Sequence, residues 1–452
     1  MAVETKIAER PWQELAPDEK MERRFAAWLS APGIKFASPE AEKDYKTRAR
    51  RIADAIQLKK TPDRVPFMGN LGSFAMAYCG YSEHDLMYDI DKCLEVSTKC
   101  TLEFQTDTQT VVGITRLPKV MELLDWKLHG WPVNLEANSE LQFYEGEYMK
   151  EDEYDAFIED PTGYCWRTYL PRIMGAFKPL SNTPYWPYTG LTTVIPTGLT
   201  QFARPEAQET LEKLVEAGKA TVEWQQKMGA LGKKLSELGF PGTGGGTSRA
   251  PFDALGDAMR GTRGIVKDMF RQPEKLLAAL DKVATMMINL GLESARLGGY
   301  PVVGFPLHKG ADGFMSDAQF RTFYWPSLLK VCQGLWKEGL VVRLGAQGGY
   351  NSRLEVIGGT PKGKVIWGFG AATDMARAKD LLGDVACISG NVPAALLTAG
   401  TPEQVIACCR RLIDTAGKGG GYMLGTAAID RTAKEENVRA MIRCAKEYGT
   451  YS

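Results

Sequence analysis

The chain is poor in the residues and patterns that mark several common classes of protein. Histidine occurs only three times in 452 residues, so a metal site built from several histidines is badly constrained. Basic and acidic residues both number 55, which leaves no net charge to attract nucleic acid or anionic lipid. We therefore expect no nucleic-acid partner.

Other absences concern compartment and cofactor. The nine cysteines form no C-x-x-C pair, and their scatter is typical of core thiols in a reducing compartment. No apolar run approaches the ~18 residues of a membrane span, and the charged first residues lack the apolar segment of a signal peptide. The sequence predicts a cytoplasmic protein without a membrane partner. Neither a Walker motif, a dinucleotide-binding fingerprint nor a G-x-S-x-G elbow occurs.

What the chain has is a regular alternation of short apolar runs and helix-like segments. The runs are rich in β-formers, and glycine and polar residues follow them, which is typical of βα units in a parallel sheet. The eight runs centre near residues 66, 103, 194, 303, 343, 366, 387 and 423. Eight such units predict an α/β protein with a (β/α)8 TIM-type barrel.

The domain organisation follows from this count. Residues 1–60 are charged and favour helices, so they predict an N-terminal helical extension that caps a barrel domain of residues 61–452. Residues 110–190 fit the βα rhythm badly and are crowded with aromatic residues and prolines, which predicts an insertion over the barrel mouth. Its aromatic residues either wall a pocket for a flat substrate or form ordinary core. A long amphipathic helix is expected over Glu206–Leu238.

Polar residues just after predicted strands are candidates for the active site, because barrel enzymes keep their chemistry at the carboxyl ends of the strands. His308 follows one such run and either acts as an acid or base or anchors its own turn. Asn70 and Asp107 follow the first two runs, where they either serve the site or stabilise turns. Gln347 lies in a turn whose glycines either admit a ligand close to the backbone or supply positive φ.

Several segments together resemble the uroporphyrinogen decarboxylase superfamily. They are Gly390–Pro393, Gly400–Glu403, Gly417–Tyr422 and Glu436–Met441, with Asp63–Pro66 and Met315–Phe320 consistent with them. The closer resemblance is to the methyltransferase branch, which includes corrinoid-dependent methyltransferases. The resemblance covers about residues 50–450 and implies a (β/α)8 barrel, in agreement with the strand count.

Departures from the family pattern bear on the chemistry. The arginine-rich substrate segment of the decarboxylase is not recognisable before Asn70, which argues against decarboxylation of a porphyrinogen. Thiol-methylating members carry a zinc site written His-x-Cys-Gly after the fifth strand, with a further cysteine late in the chain. The corresponding stretches here are Gly345-Ala346-Gln347-Gly348 and Gly425-Thr426-Ala427-Ala428. Since zinc serves a thiol acceptor by holding its thiolate, we expect neither zinc nor transfer to a thiol.

The resemblance then implies a methyltransferase that demethylates a small methylated compound, with a methoxylated aromatic compound as the leading candidate. The methyl group would pass to Co(I) of a separate corrinoid-binding protein, and a homodimer is compatible with the resemblance. The candidate catalytic residues are His308, Asp312 and Asp107, and the candidate substrate-binding residues are Asn70, Gln347, Tyr350, Arg353, Trp367 and Asn391.

Two alternatives stay open at this point. The first is a decarboxylase that acts on a different acidic substrate, for which Arg343, Arg353 and Arg249 could supply positive charge. A mouth lined by several arginines would favour it, and an aromatic, nearly neutral mouth would count against it. The second is a ligand-binding barrel without catalytic activity, suggested by the missing zinc ligands.

Overall fold

The computed structural model describes residues 10–112, 117–130, 136–139, 142–181, 183 and 199–451. The helices of these residues are α1 (Pro17–Ser30), α2 (Pro39–Gln57), α3 (Gly72–Tyr78), α4 (Glu83–Tyr88), α5 (Ile90–Phe104), α6 (Pro118–Leu123), α7 (Tyr154–Glu159), α8 (Pro161–Tyr164), α9 (Leu170–Ile173), α10 (Pro205–Glu237), α11 (Pro251–Leu255), α12 (Gly261–Arg271), α13 (Pro273–Leu297), α14 (Asp317–Gln319), α15 (Trp325–Lys337), α16 (Leu354–Ile357), α17 (Met375–Leu382), α18 (Ala394–Ala399), α19 (Pro402–Ala416) and α20 (Glu435–Glu447).

The strands of the described residues are β1 (His129–Gly130), β2 (Gln142–Phe143), β3 (Gly246–Thr247), β4 (Val302–Leu307), β5 (Val341–Ala346), β6 (Val365–Phe369), β7 (Cys387–Ser389) and β8 (Tyr422–Met423). Short 3-10 turns at Trp12–Glu14, Gly175–Leu180 and Thr200–Ala203 and π-helical turns at Cys165–Tyr169, Gly256–Arg260 and Phe320–Tyr324 complete the set. Within these ranges no helix combines the length and the apolar character that crossing a bilayer requires.

Six parallel strands form the main sheet, and they lie in the order in which the chain produces them. Each strand from β3 to β8 pairs with the next one, and helices connect them. A parallel bridge from Phe67 to Leu424 extends the sheet beyond β8. Between this edge and β3 lies the segment after α5, where Gln109 donates its backbone N–H to the carbonyl of Pro241 at 3.2 Å. The order matches consecutive units of the predicted barrel.

Most of the predicted elements after residue 200 are confirmed. The amphipathic helix expected over Glu206–Leu238 is α10, and the last five predicted strands are β4 to β8. The predicted strand near residue 66 is present only as isolated bridges at Arg64 and Phe67. The run expected at Leu191–Pro196 lies outside the described residues, and β3 was not predicted.

The strand predicted over Thr101–Asp107 is wrong, because residues up to Phe104 belong to α5. This helix begins at Asp89, whose side chain accepts hydrogen bonds from the backbone N–H groups of Asp91 and Lys92. Its buried apolar residues recur at helical spacing, at Cys93, Val96, Cys100 and Phe104. Thr101 therefore continues the buried face of this helix, and Leu102 lies on its exposed side.

The described part of the predicted insertion at 110–190 is irregular. It contains the antiparallel pair β1–β2 and the short helices α6 to α9. It packs on the segment that follows α11, where the hydroxyl of Tyr169 donates to the carbonyl of Ala258 at 2.8 Å. Four aromatic residues of the predicted insertion, Trp131, Tyr185, Trp186 and Tyr188, lie outside the described residues.

The N-terminal helices pack on the amino-terminal ends of the strands. One apolar cluster joins Phe25 and Trp28 of α1 and Tyr45, Ile52 and Ile56 of α2 to Val302, Val341, Ile366, Cys387 and Met423, which come from five neighbouring strands. These strand residues are all buried, so the two helices close the lower end of the sheet. The predicted division of the chain into residues 1–60 and 61–452 stays a prediction.

Asp107 lies at this same lower end, within a buried ion-pair network. Its carboxylate contacts Arg51 of α2 at 2.6 Å and Arg64 at 2.7 Å, and it also accepts the backbone N–H of Phe67 at 2.7 Å. Its side chain is 1% exposed. The network joins α2 to the beginning of the Phe67 segment and to the chain after α5. Asp107 thus contributes to the packing of the fold, and its predicted catalytic role stays a prediction.

Removal of this carboxylate should destabilise the protein strongly. In Asp107→Ala the buried guanidinium of Arg51 and the half-buried one of Arg64 lose their shared partner, which typically costs about 3–5 kcal/mol. The free energy of unfolding, measured with urea, tests this. Glu42→Ala removes an exposed ion pair on α2 and should change the free energy by less than about 1 kcal/mol. Equal effects of the two substitutions would contradict the structural role of Asp107.

Candidate active site

The carboxyl ends of β4 and β5 place two predicted site residues side by side. Leu307 pairs with Ala346 at the last position of both strands, so His308 and Gln347 follow at the same level. The backbone N–H of Gln347 donates to the carbonyl of Leu307 at 3.1 Å. The Gln347 side chain is exposed and has no hydrogen bond to a described residue. Both residues therefore lie at the rim of the predicted barrel mouth.

His308 is held by a carboxylate from the preceding βα unit. Its Nδ1 lies 2.6 Å from Oδ2 of Asp257, which belongs to the π-helical turn Gly256–Arg260 after α11. A carboxylate can only accept, so Nδ1 carries the proton of this hydrogen bond and Nε2 is left for another partner. The His308 side chain is 30% exposed, whereas that of Asp257 is 9% exposed. The arrangement is a partly open histidine oriented by a buried carboxylate.

Asp257 contacts two cationic side chains in addition to the imidazole of His308. Besides His308, Nζ of Lys309 lies 2.8 Å from its Oδ1 and Nη1 of Arg249 lies 3.8 Å from its Oδ2. Burial by itself raises the pKa of Asp257, but the hydrogen bonds from His308 and Lys309 and the charge of Lys309 outweigh it. The pKa of Asp257 is therefore below its ordinary value, and the group is an anion at neutral pH.

A second carboxylate fixes the backbone that carries His308. Asp253, in α11, accepts the backbone N–H groups of His308 and Lys309 at 2.9 Å each and the hydroxyl of Tyr324 at 2.7 Å. Its side chain is completely buried, and burial raises the pKa of Asp253 above its ordinary value. Asp253 ties the end of β4 to the helix that follows β3, so it positions His308 without facing the mouth.

Neither Asp253 nor Asp257 was predicted from the sequence. The available signal is the spacing of two aspartates four residues apart in a helical segment that follows a short strand, which places both on one face. That spacing is common on solvated helices, and β3 itself was not recognised. Only the pairing of β3 with β4 brings Asp257 to His308, 51 residues later in the chain.

Asp312 and Arg353 connect two turns at the mouth through hydrogen bonds and ion pairs. Asp312 accepts the backbone N–H of Asn351 at 2.7 Å and the hydroxyl of Ser352 at 3.0 Å. Arg353 is 1% exposed and donates to the carbonyls of Gly310 and Met315, while it also pairs with Asp317. These contacts join the turn after β4 to the turn after β5. Both side chains are occupied by the fold itself, and their predicted catalytic and binding roles stay untested.

Tyr350 and Trp367 lie behind the strands rather than in the mouth. Both side chains are fully buried, and Trp367 stacks on Phe369 with ring centroids 5.7 Å apart. Trp367 also faces Trp325 of α15 at 6.3 Å and Tyr350 at the same distance. Burial raises the pKa of Tyr350, and the nearby Asp253 adds to this effect. These residues form an aromatic layer between the sheet and the helices.

The two predicted asparagines differ in their surroundings. Asn391, after β7, is 7% exposed and donates to the carbonyls of Gly370 and Thr373 at 3.0 and 2.8 Å. It therefore shapes the turn after β6. Asn70 is exposed, and its Oδ1 accepts the backbone N–H of Gly72 at 3.0 Å, as in an Asx turn. Of the nine predicted site residues, Gln347 and Asn70 are exposed, and the side chains of His308 and Asp312 are partly open, at 30% and 29% exposure.

The described residues contain no group of three or more histidine, cysteine, aspartate or glutamate side chains arranged to hold a metal ion. The nearest approach to a ligand cluster at the mouth is His308 with Asp257, and the other neighbours of this pair are the cations Lys309 and Arg249. A cationic surrounding disfavours a metal cation and favours an anionic or polar organic ligand.

Comparison with known proteins identifies the family. The model for "Uroporphyrinogen decarboxylase (URO-D)" matches residues 199–448, more than half of the chain. The chain belongs to the uroporphyrinogen decarboxylase family. The fold of this family is a TIM barrel, so the predicted fold class is confirmed, and β3 to β8 with the Phe67 bridge form seven consecutive positions of its sheet.

A solved structure is similar to this chain at the level of the fold. It is described as "methyltransferase from Methanosarcina mazei", and it superposes with a TM-score of 0.56 at 14% sequence identity. The match covers 89% of this chain and 98% of that one. No curated protein matches the sequence.

The stability contributed by Asp257 should depend on pH. Its pKa is lowered in the folded protein, so its contribution is complete above the unfolded value of about 4 and is lost as the pH falls through the folded value. Asp257→Asn should therefore lower the free energy of unfolding by about 1–3 kcal/mol at pH 7, and the difference from wild type should narrow below about pH 4. Urea unfolding at pH 7, 5 and 3.5 measures this. The exposed Asp380, changed to asparagine, is the control, and a difference that stays constant with pH would refute the ionic role of Asp257.

Proposed function

We propose that the chain is a methyltransferase that demethylates a small methoxylated aromatic compound and delivers the methyl group to Co(I) of a corrinoid-binding protein. Membership in the family supports the enzyme class. The glutamine turn Gly345-Ala346-Gln347-Gly348, which lacks thiolate-binding ligands, supports an acceptor other than a thiol. The observation that carries the proposal is the His308–Asp257 pair at the mouth.

Ether demethylation needs help at the departing oxygen. The bond between oxygen and the methyl carbon breaks, the oxygen keeps its electron pair, and the pair for the new cobalt–carbon bond comes from Co(I). The oxygen becomes a phenolate, which is a poor leaving group unless a proton or hydrogen bond reaches it. His308 can supply that proton from Nε2, since Asp257 holds Nδ1 at 2.6 Å and stabilises the charged ring before transfer.

The surroundings of His308 suit this role. Asp253 fixes its backbone and Asp257 fixes its ring, so the remaining nitrogen has a defined direction. Gln347, at the same level just after β5, has an exposed amide that can donate a second hydrogen bond to the substrate. Of the three histidines, His84 stacks on Tyr88 and His129 accepts from Trp126, both in the region between α3 and β2. His308 is thus the histidine available at the carboxyl ends of the strands.

Decarboxylation of a polyanionic substrate fits the described cations less well. Arg353 is engaged by Asp317 and by backbone carbonyls, and Arg249 and Lys309 share Asp257. Of the three arginines proposed for this reaction, only Arg343 has no acidic partner among the described residues. Among these three arginines, several substrate carboxylates would find one cation without an acidic partner in the described residues, and the remaining carboxylates would be desolvated without compensation.

Transfer of the methyl group can be followed directly. Purified protein is incubated with a panel of methoxylated aromatics and a reduced corrinoid protein, and the absorbance of methylcobalamin is recorded. We expect methylation with at least one member of the panel. Release of carbon dioxide from aromatic acids without methylation would instead support a decarboxylase, and neither product across the panel would refute the proposal.

The role of His308 predicts a dependence on the leaving group. His308→Gln should slow demethylation by about 10²–10⁴-fold for a plain methoxyarene, whose phenolate is strongly basic. The loss should be much smaller for a nitro-substituted methoxyarene, because a weakly basic phenolate departs without a proton. Initial rates with the two substrates measure this. His84→Gln is the matched control and should leave both rates unchanged. An equal loss for both substrates would exclude general-acid catalysis by His308.

A further inference from the structure

Alternate residues of β5 face different surroundings. Val341 belongs to the apolar cluster that the N-terminal helices form with the lower ends of five strands, whereas Val342 and Leu344 belong to the core under the outer helices. Because side chains alternate along a strand, Arg343 and Gly345 share the face of Val341. This face is the interior of the barrel, and Arg343 stands directly above its apolar floor.

Glycine surrounds Arg343 on this face. Its partners in register are Gly304 on β4 and Ile366 on β6, and the next pair along the same face is Gly345 and Gly368. A Cβ built on Gly304 would meet only one backbone oxygen, at 3.9 Å. Arg343 is partly exposed although both of its strand neighbours are completely buried. Space therefore exists above the guanidinium inside the barrel.

The guanidinium of Arg343 has no hydrogen bond, ion pair or aromatic contact with any described residue. An arginine in the interior of a protein normally has a counter-charge, because desolvation of an unpaired cation is expensive. Its charge reaches Tyr300 and Cys387, where it opposes the rise in pKa that burial causes in both groups. These two side chains belong to the floor cluster, so the guanidinium lies close to the floor.

Two hydroxyl groups near Arg343 are also without partners. The hydroxyl of Tyr300 is buried and makes no hydrogen bond to a described residue, although its ring packs on Trp28 with centroids 4.9 Å apart. Oγ of Ser389 lies 3.4 Å from the position of a Cβ on Gly368, so it faces the same space, and it too has no described partner. One cation and two hydroxyl groups thus face the interior without an acceptor among the described residues.

We infer that Arg343, Tyr300 and Ser389 form a subsite that binds a carboxylate group of a small organic acid. A guanidinium presents two parallel N–H donors that match a planar carboxylate, and the hydroxyls can donate to its remaining lone pairs. One cation balances one negative charge, which favours a carboxylate over a doubly charged phosphate. The ligand supplies the acceptor that all three groups lack among the described residues.

The subsite also constrains the orientation of a substrate. Gln347, the first residue after β5, lies four positions beyond Arg343, a rise of about 13 Å along the extended chain. A flat acid anchored at Arg343 extends toward the rim, where His308 lies. On the basis of the proposed function, the methyl donor is then a methoxylated aromatic acid whose acid group points toward the floor.

Binding measured without a methyl acceptor tests the subsite. Isothermal titration calorimetry compares benzoate, 3-methoxybenzoate and 4-methoxybenzoate with the three corresponding amides. Wild type should bind at least one acid at least tenfold more tightly than its amide. Arg343→Gln should weaken binding of that acid at least tenfold and leave the amide unaffected. Arg443→Gln removes the same charge from the exposed face of α20 and should bind like wild type.

Thermal unfolding without ligand separates a binding role from a structural one. Because Arg343 has no partner among the residues that the structure describes, Arg343→Gln should unfold at the wild-type temperature or above, whereas a structural arginine would lower that temperature. Equal affinity of wild type for acids and amides, no binding of any acid, or equal loss of both ligands in Arg343→Gln would overturn the subsite. Acid binding through Arg343 without any methyl transfer would leave the subsite intact and refute the proposed function alone.

Discussion

Consecutive parallel pairing from β3 to β8 is the constraint on which the rest of the molecule depends. Parallel strands point their carboxyl ends to one edge, so every turn that follows a strand contributes to the same surface. The amino-terminal ends meet at the other edge, where α1 and α2 cover them with apolar side chains. The sheet therefore has one end that helices close and one end that stays open. Polar side chains of the turns lie at the open end, since helices already cover the amino-terminal end.

The polar groups at the open end are organised by burial. Asp253 is the most deeply buried of them, and it accepts three hydrogen bonds that fix the backbone after β4. Asp257 is less buried and faces cations, so its pKa falls while that of Asp253 rises. Two carboxylates four residues apart thereby have different roles. Asp253 holds the chain in place, and Asp257 supplies the charge that orients His308.

The sequence was sufficient for features that depend on local periodicity. The long amphipathic pattern of α10 and the isolated β-rich runs of β4 to β8 each predict one structure. The strand predicted over Thr101–Asp107 was wrong because a short run with threonine and phenylalanine fits a strand and a helix equally well. The helical spacing of the buried residues from Cys93 to Phe104 favours the helix. Asp107 was consequently expected at the mouth, although its partners Arg51 and Arg64 hold it at the closed end. Trp367 could not be placed either, because strands buried on both faces lack the alternation that identifies the inner one.

The interaction partners of Arg51 and Arg353 distinguish these two structural arginines from Arg343, which we propose binds a ligand. Arg51 and Arg353 are both buried, with relative exposures of 7% and 1%, and each is bonded to carboxylates or carbonyls. Arg343 is less buried and has none of these partners, so its desolvation is not balanced within the fold. A protein can retain such a residue if the cost is repaid when substrate binds. Binding at Arg343 would then place the far end of a rigid substrate beside His308. The binding energy lowers the activation free energy of methyl transfer only if the reacting group is correctly placed.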